Sequence, residues 1–490
     1  MITQATAGAR SWTKSPALVR LAGFGTAALL FGILLIAVRV QWVPLESVDR
    51  GVAANLNNLV ADQPLVIRLL KIITTLGSYG VLGWLVGIAA LILVVRKRYR
   101  LAGYLLVTGA GALILDPTLK LAVGRLRPVV PEPIAVGGGN SFPSGHALGS
   151  IIVYGSFLLV FAPALPARAK KPVVGALAAL VVLIGFSRLA LGVHFLSDVL
   201  GAWCLGIAWL GVTAYAFEIW RRGTGKRVTH PVAEGLEPEA AKDLKPTGPP
   251  IAVQVMGNGW AIAGAAVAWV LIFGVLCAIG IPLARYHGGN GNILGDYTIP
   301  HWFAAHRTAT FNRISALGSD YGNTHAILDV GLVAGALALA AIRRWRPVVF
   351  LLATMFGELT LFLASSAMSG RARPNVEHLD GQLPTSSFPS GHVAATILLY
   401  AAIVTLVMPR TRAWWRWLFV AAAVLMPLWV ALSRMYRGMH HPTDVLGSVI
   451  LAAAWLAAMI YFVRPNCDVE KKTPAKAAGA STQEKVGVSA

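Results

Sequence analysis

Two histidines, several arginines and an aspartate recur in this 490-residue chain at spacings that suit one kind of chemistry. In the first half, Gly124-Arg125-Leu126-Arg127-Pro128 precedes Ser141-Phe142-Pro143-Ser144-Gly145-His146, and Ser187-Arg188, His194 and Asp198 follow. A His four residues ahead of an Asp can take its orientation and tautomer from that carboxylate. Arg side chains present planar forks that match phosphate oxygens. Ser-Gly-His opening a helix offers backbone N–H groups, and its Gly permits close approach of an anion. Such a set can transfer a phosphoryl group. One imidazole attacks phosphorus, the other protonates the leaving oxygen, and the arginines stabilise charge on the equatorial oxygens. Neither half offers a Cys or Glu cluster of metal-ligand spacing, and no metal or cofactor is expected.

The set returns 246 residues later as Gly370-Arg371-Ala372-Arg373-Pro374, Ser387-Phe388-Pro389-Ser390-Gly391-His392, Ser433-Arg434, His440 and Asp444. A constant offset across three separated motifs marks a duplication. Further upstream, Leu76-Gly77-Ser78 pairs with Leu317-Gly318-Ser319 at an offset of 241, which places a length change in the earlier loop. One position differs in charge: Lys120 is matched by Ser366. Losing that cation weakens phosphate stabilisation by roughly a few kcal/mol. Arg437, opposite Leu191, is the candidate replacement, and His441, opposite Phe195, makes the second pocket more polar. Arg125 and Arg371 read equally well as site residues or as helix-end anchors at lipid headgroups. Gly137-Gly138-Gly139 reads as a flexible loop, and His287, His301 and His306 as solvated surface groups, the alternative being a weak metal site for which their spacing gives no recognisable pattern.

Lys120-x6-Arg127-Pro128, Pro143-Ser144-Gly145-His146 and Ser187-Arg188-x5-His194-x3-Asp198 resemble the three signature motifs of the type 2 phosphatidic acid phosphatase superfamily. That superfamily includes lipid phosphate phosphatases and undecaprenyl-pyrophosphate phosphatases, and the resemblance covers both halves. It implies metal-independent hydrolysis through a phosphohistidine. It implies His194 as nucleophile, Asp198 as its orienter and His146 as general acid, with Lys120, Arg127, Ser144, Gly145 and Arg188 around the phosphate. In the second half the same roles fall to His440, Asp444 and His392, with Arg373, Ser390, Gly391 and Arg434. Soluble vanadium haloperoxidases also resemble this superfamily, but the apolar character of this chain argues against that role.

The elements that must position these residues are membrane helices. The chain is 56% hydrophobic and 13% charged, against about 25% charged in an average soluble protein. Apolar runs near 19–41, 79–95, 101–119, 145–163, 172–190 and 198–219, and near 257–282, 324–342, 347–365, 391–408, 415–432 and 445–463, are each long enough to span a bilayer. The expected fold is all-α: a polytopic membrane protein of two tandem six-helix bundles, about twelve transmembrane helices. Residues 1–220 form the first domain, 221–256 a cytoplasmic linker, 257–465 the second domain and 466–490 a disordered tail. The net charge is +21, but the basic residues sit in short runs between spans, which suits topology and anionic lipid headgroups and not nucleic acid. The positive-inside rule puts both termini in the cytoplasm and the motifs at the outer face, as in a bacterial plasma membrane. Cys204, Cys277 and Cys467 are odd in number and form no CxxC, so no disulfide framework is expected. The expected partners are a lipid phosphate substrate and membrane lipids; the oligomeric state is not readable. Phosphotransfer to an acceptor hydroxyl, or a lipid transporter or scramblase built from parallel repeats, are the alternatives.

Overall fold

The computed structural model describes residues 16–130, 134–135, 137–221, 234–247, 259–286, 291–381 and 383–470. The described residues are helices and connecting turns, with no strand. They divide into two compact units, Met1–Lys245 and Pro246–Ala490.

In the first unit, α1 (Pro16–Arg39), α4 (Tyr79–Val95), α5 (Tyr99–Val123), α6 (Gly145–Phe161), α7 (Ala167–Ala190) and α8 (Leu196–Arg221) take up the six expected apolar runs. Two further helices, α2 (Val43–Ala61) and α3 (Pro64–Thr75), lie between α1 and α4 and were not anticipated. In the second unit the six runs become α9 (Gly259–Arg285), α12 (Thr324–Ile342), α13 (Trp345–Ser369), α14 (Gly391–Val407), α15 (Arg416–Tyr436) and α16 (Pro442–Val463). Short helices α10 (Thr298–Ala305) and α11 (Ala309–Tyr321) stand where α2 and α3 stand in the first unit. Among the described residues, ten helices are long and apolar enough to cross a bilayer. Tyr79–Val95 qualifies only together with Pro64–Thr75, across a 42° bend, and Gly391–Val407 has 17 residues.

A helix can be apolar all round only if packing or lipid covers every face. In the first unit α6 packs against α5, α7 and α8, and Ala147, Leu148, Ile152 and Val160 are fully buried. By contrast α1 leaves Leu29, Leu30, Ile33 and Ile36 exposed, as a lipid-facing surface requires. In the second unit α14 is the inner helix, packed on α13, α15 and α16, and Leu398, Leu399 and Ala402 are buried on it.

The upstream register of the duplication needs correcting. Gly77 packs on Ile184 and His146, and the residue making the matching contacts to Val430 and His392 is Gly322, not Gly318. Ser78 and Asn323 both cap a following helix with their side chains. Thr74 and Ser319 both receive a hydrogen bond from the duplicated arginine of the third motif. These three pairs share an offset of 245, so the sequence match at 241 slid by one helical turn. The short Leu-Gly-Ser match recurs by chance on α11, and it lacked the chemistry that would have fixed its register.

Part of the expected linker is not free. Leu236 and Ala240 are buried against Leu93, Leu101, Leu105 and Val160, while Arg98 pairs with Asp243 and Glu237 and Arg221 pairs with Glu239. The rest of 221–256 lies mostly outside the described residues, as does the tail from residue 471. The start of that tail is docked: Asp468 sits in the short helix α17 (Cys467–Glu470) and pairs with Arg410 at 2.7 Å. Cys204, Cys277 and Cys467 are free thiols.

Candidate active site

In each unit the motif residues meet where four helices end. Helix α5 stops at Gly124, which adopts φ +68°, a left-handed turn available to Gly without a Cβ clash. The chain leaves the helix axis there, and Arg125 and Arg127 extend across the end of the unit. Helix α7 ends likewise at Gly192, φ +73°, which turns the chain back so that His194 faces the helix end carrying Arg188. Ser144 stands at the N-terminal cap position of α6 without a side-chain cap bond, and Asp198 lies in the first turn of α8.

His194 and Asp198 are brought together as expected: Nδ1 lies 3.2 Å from Asp198 Oδ2, and both residues are buried. The other imidazole nitrogen, Nε2, lies 3.2 Å from Arg127 Nη1. An arginine can only donate, so Nε2 is the accepting nitrogen and Nδ1 carries the proton toward the carboxylate. This tautomer leaves a lone pair on Nε2 directed at the basic side of the site. Burial lowers the His194 pKa; the Asp198 hydrogen bond and charge pull it up only in part, and Arg188 and Arg127 push it further down. The imidazole is therefore neutral near pH 7.

Arg127 is held by carbonyls of Gly138, Gly139 and Val193, at 2.8, 3.0 and 2.7 Å. A Cβ on Gly137 would lie 2.6 Å from its Nη1. The glycine run is thus a wrap closed on the guanidinium and not the free loop that its composition suggested. Arg188 donates to Thr74 Oγ1 at 2.8 Å, while its Nε is buried and makes no hydrogen bond. Ser144 Oγ is in the same position. Buried donors left unmade are costly, so these groups fit a site built to receive an acceptor such as a phosphate oxygen. Lys120, Arg127, Arg188 and His194 all lie within electrostatic reach of His146. Gly145 has no room for a side chain: a Cβ would strike the Tyr79 hydroxyl and lie 2.9 Å from Asp116 Oδ2.

Sequence reasoning missed three carboxylates. Asp116, one turn before Lys120 on α5, holds its ammonium at 2.8 Å. Asp49 on α2 is fully buried and joins Arg125 to the Asp198 helix end. Arg125 Nη1 donates to Asp198 Oδ1 and Ser197 Oγ at 2.7 Å, and Nη2 donates to Asp49 Oδ2 at 2.7 Å. Arg125 thereby belongs to the site, with its guanidinium carbon 4.2 Å from the Phe195 ring centroid. The third carboxylate, Asp380, belongs to the second unit.

There Gly370 and Gly438 repeat the left-handed turns, and Arg371 binds Asp444 Oδ1 at 2.6 Å and Asp296 Oδ2 at 2.7 Å. The histidine is held differently. His440 Nδ1 hydrogen-bonds the Ser387 carbonyl at 2.8 Å and lies 3.6 Å from Asp444 Oδ2. A carbonyl can only accept, so the tautomer matches that of His194, but a different group fixes it. Asp444 Oδ2 is taken by Ser387 Oγ and by His441 N–H. Burial lowers the His440 pKa to about 4.

The lysine is not simply lost from this unit. Its partner has gone with it, since Phe362 stands where Asp116 stands, and its ring lies 2.9 Å from where a Gly391 Cβ would be. Arg437, the expected replacement, does not take the lysine's place. Its Nε donates to Asp380 Oδ1 at 2.6 Å and its Nη2 to the Leu379 carbonyl at 2.9 Å. The same Asp380 accepts from Arg434 Nη1 at 2.5 Å. Arg434 keeps Nε and Nη2 buried without a partner, as does Ser390 Oγ. Arg373 is held by the Met439 and Thr385 carbonyls at 2.6 and 3.1 Å. The second unit thus lacks the Lys120–Asp116 pair and instead carries a loop carboxylate, Asp380, between Arg434 and Arg437, where the first unit has Ile134. His301 and His306 stack on Tyr297 and Trp302 and take no part; His287 lies outside the described residues.

Comparison with known proteins agrees with this division. The family model described as PAP2 superfamily matches twice, at residues 100–222 and 345–467. Phosphatidylglycerophosphatase B of Bacillus subtilis is 33% identical over 184 residues, covering 37% of this chain and 88% of that protein. An undecaprenyl-diphosphatase of Sulfolobus acidocaldarius is 27% identical, covering 38% of this chain and 85% of its own. A lipid A 1-phosphatase of Rhizobium johnstonii is 29% identical, over 25% of this chain and 50% of its own.

Proposed function

The chain belongs to the PAP2 superfamily, twice over, and from that membership and the two sites we propose that it is an integral-membrane phosphatase that hydrolyses lipid phosphates or pyrophosphates through a phosphohistidine, with the first unit as the principal site. The observation carrying this reading is the placement of His194, whose protonated Nδ1 faces Asp198 and whose Nε2 lone pair faces Arg127. In the first step Nε2 attacks phosphorus and the bond to the lipid oxygen breaks. His146 gives that oxygen its proton. In the second step His146 takes a proton from water, the water oxygen attacks phosphorus, and the P–N bond breaks to release inorganic phosphate. Arg127, Arg188 and Lys120, with the N–H groups at the start of α6, stabilise the charge on the equatorial oxygens. The second unit holds the corresponding groups, with His440 as nucleophile, Asp444 beside it and His392 as acid. Its cation set is part-neutralised by Asp380, so it is the weaker site.

Membrane topology fits the substrate class. In the first unit Arg98 and Arg100 flank the start of α5, and Arg168, Lys170 and Lys171 the start of α7, while the site lies where both helices end. In the second unit Arg344 and Arg346 flank the start of α13, whose other end carries Arg371 and Arg373. By the positive-inside rule the basic ends are cytoplasmic and each site opens outward, at headgroup depth, where a lipid's phosphate arrives by lateral diffusion. Undecaprenyl pyrophosphate, phosphatidylglycerophosphate and phosphatidic acid are the substrates to test. The experiment is phosphate release from each in detergent, without added metal, by wild type, His194→Ala, His440→Ala and the double variant. The reading expects the largest loss from His194→Ala and none left in the double variant. Undiminished release by the double variant would overturn it.

A further inference from the structure

Asp49 and Asp296 lie outside the three motifs, yet each is buried at the back of a site. Asp49 Oδ1 accepts from Ser197 N–H at 2.9 Å, and its Oδ2 accepts from Ser197 Oγ at 2.5 Å and Arg125 Nη2 at 2.7 Å. Asp296 accepts from Thr443 N–H at 2.9 Å, Thr443 Oγ1 at 2.6 Å and Arg371 Nη2 at 2.7 Å. The surroundings have diverged. Asp49 sits inside the 19-residue helix α2, whereas Asp296 sits in a turn before the 8-residue helix α10. The duplicated copies have lost the common backbone here and retain the carboxylate with the same three donors.

We propose that Asp49 is a positioning residue for the His194–Asp198 pair, acting through Arg125, and that Asp296 acts likewise on Asp444 through Arg371. The proposal rests on the reading of His194 as nucleophile. A lone arginine beside Asp198 could swing to take both carboxylate oxygens in a fork. Anchored at Nη2 by Asp49, Arg125 offers Asp198 only Nη1, which engages Oδ1. Oδ2 is left for His194 Nδ1 and the Phe195 N–H. Asp49 also sets the charge behind the pair: with it, the buried Asp49–Arg125–Asp198 group carries one net negative charge, and without it none. The other charged groups around His194 are Arg127 beyond α5, Arg188 on α7, His146 on α6, and the Lys120–Asp116 pair on α5. Asp49 therefore offsets a predominantly positive surrounding and favours protonation, hence basicity, of the imidazole.

The test is Asp49→Asn, which keeps size and two of the hydrogen bonds but removes the charge. Phosphate release is measured across pH in a His440→Ala background, with His194→Ala as reference. The expected result is a fall in kcat/KM of about 10- to 100-fold, in the range of other outer-shell carboxylates. The acid limb of the profile should also move to lower pH, because the imidazolium loses a supporting charge. A merely structural role would lower the amount of folded protein and leave the limb where it is; an unmoved limb overturns the proposal. Where Asp49→Asn does not purify folded, Arg125→Lys carries the test. It keeps the charge but gives up the planar fork whose separate nitrogens hold Asp198 and Asp49, and should lose turnover by a similar factor; wild-type turnover there overturns the proposal. If His194→Ala retains turnover, the nucleophile reading has failed. If it is inactive while Asp49→Asn matches wild type, only the present proposal has.

Discussion

Asp198→Asn is expected to damage the first site far more than Asp444→Asn damages the second. Every neighbour of the Asp198 carboxylate is a donor: Arg125 Nη1 at 2.7 Å, Phe195 N–H at 2.9 Å and His194 Nδ1 at 3.2 Å. An asparagine must turn its NH2 toward at least one of them. With NH2 toward His194, the imidazole takes the opposite tautomer and Nε2 loses its lone pair. With NH2 toward Arg125, two donors confront each other in a buried site. Loss of tautomer control in a His–Asp pair costs roughly 10⁴ in rate, or about 5 kcal/mol of transition-state stabilisation. In the second site the Ser387 carbonyl holds His440 Nδ1 at 2.8 Å and Asp444 stands back at 3.6 Å. The tautomer survives there, and what is lost is a more distant charge together with one of the carboxylate's bonds from Arg371, Ser387 Oγ or the His441 N–H, about ten- to a hundredfold or ~1.4–2.7 kcal/mol. The assay is phosphate release with each change made while the other site is silenced, by His440→Ala or His194→Ala. Equal losses at the two sites would refute the argument from tautomer control.

Four further outcomes follow from the same geometry. Lys120→Ser alone strands Asp116 in a buried setting and should lower kcat/KM by about 100-fold or more, whereas Lys120→Ser with Asp116→Phe, which copies the second unit, should recover part of that loss; additive losses would show that the pair does not act as a unit. Asp380→Asn in a His194→Ala background should tighten orthovanadate binding to the second site several-fold by releasing Arg434 and Arg437, and weaker binding would make Asp380 a supporting group instead. On pH, a histidine nucleophile must be neutral, and burial lowers both values. First-site activity should persist below the ordinary imidazole pKa near 6.5, and the second-site acid limb should lie near pH 4, as the His440 value of about 4 requires; limbs above pH 7 would contradict the neutral, buried histidines. Chelators should leave turnover unchanged while vanadate inhibits, and restoration of chelated enzyme by a divalent ion would point to metal chemistry.

The motifs and long apolar runs were legible because each has a signal that survives without a structure. His194/Asp198 and His440/Asp444 sit four apart at helix starts, and the 246-residue offset ties the two sets together. What stayed hidden were single residues whose partners are remote in sequence. Asp49 meets Ser197 across 148 residues, from a helix with no motif of its own, and its counterpart Asp296 falls at an offset of 247. Asp116 was one acid in an apolar run, and only the structure turns it toward Lys120. Asp380 has Ile134 opposite it, so no repeat could call attention to it. The setting of Arg437 was hidden for the same reason: charge balance suggested a replacement cation, and a loop carboxylate remote from it in sequence meets it.

The central claim is that a histidine of the first unit carries the phosphoryl group during turnover. Acid-free quenching of enzyme with ³²P-labelled lipid substrate, followed by digestion and mapping of the labelled peptide, tests it directly. The account predicts an acid-labile, base-stable label on the peptide containing His194, absent from His194→Ala and accumulating when His146→Ala slows its hydrolysis. A label of carboxyl-phosphate stability, or turnover with no labelled protein at any quench time, would contradict it.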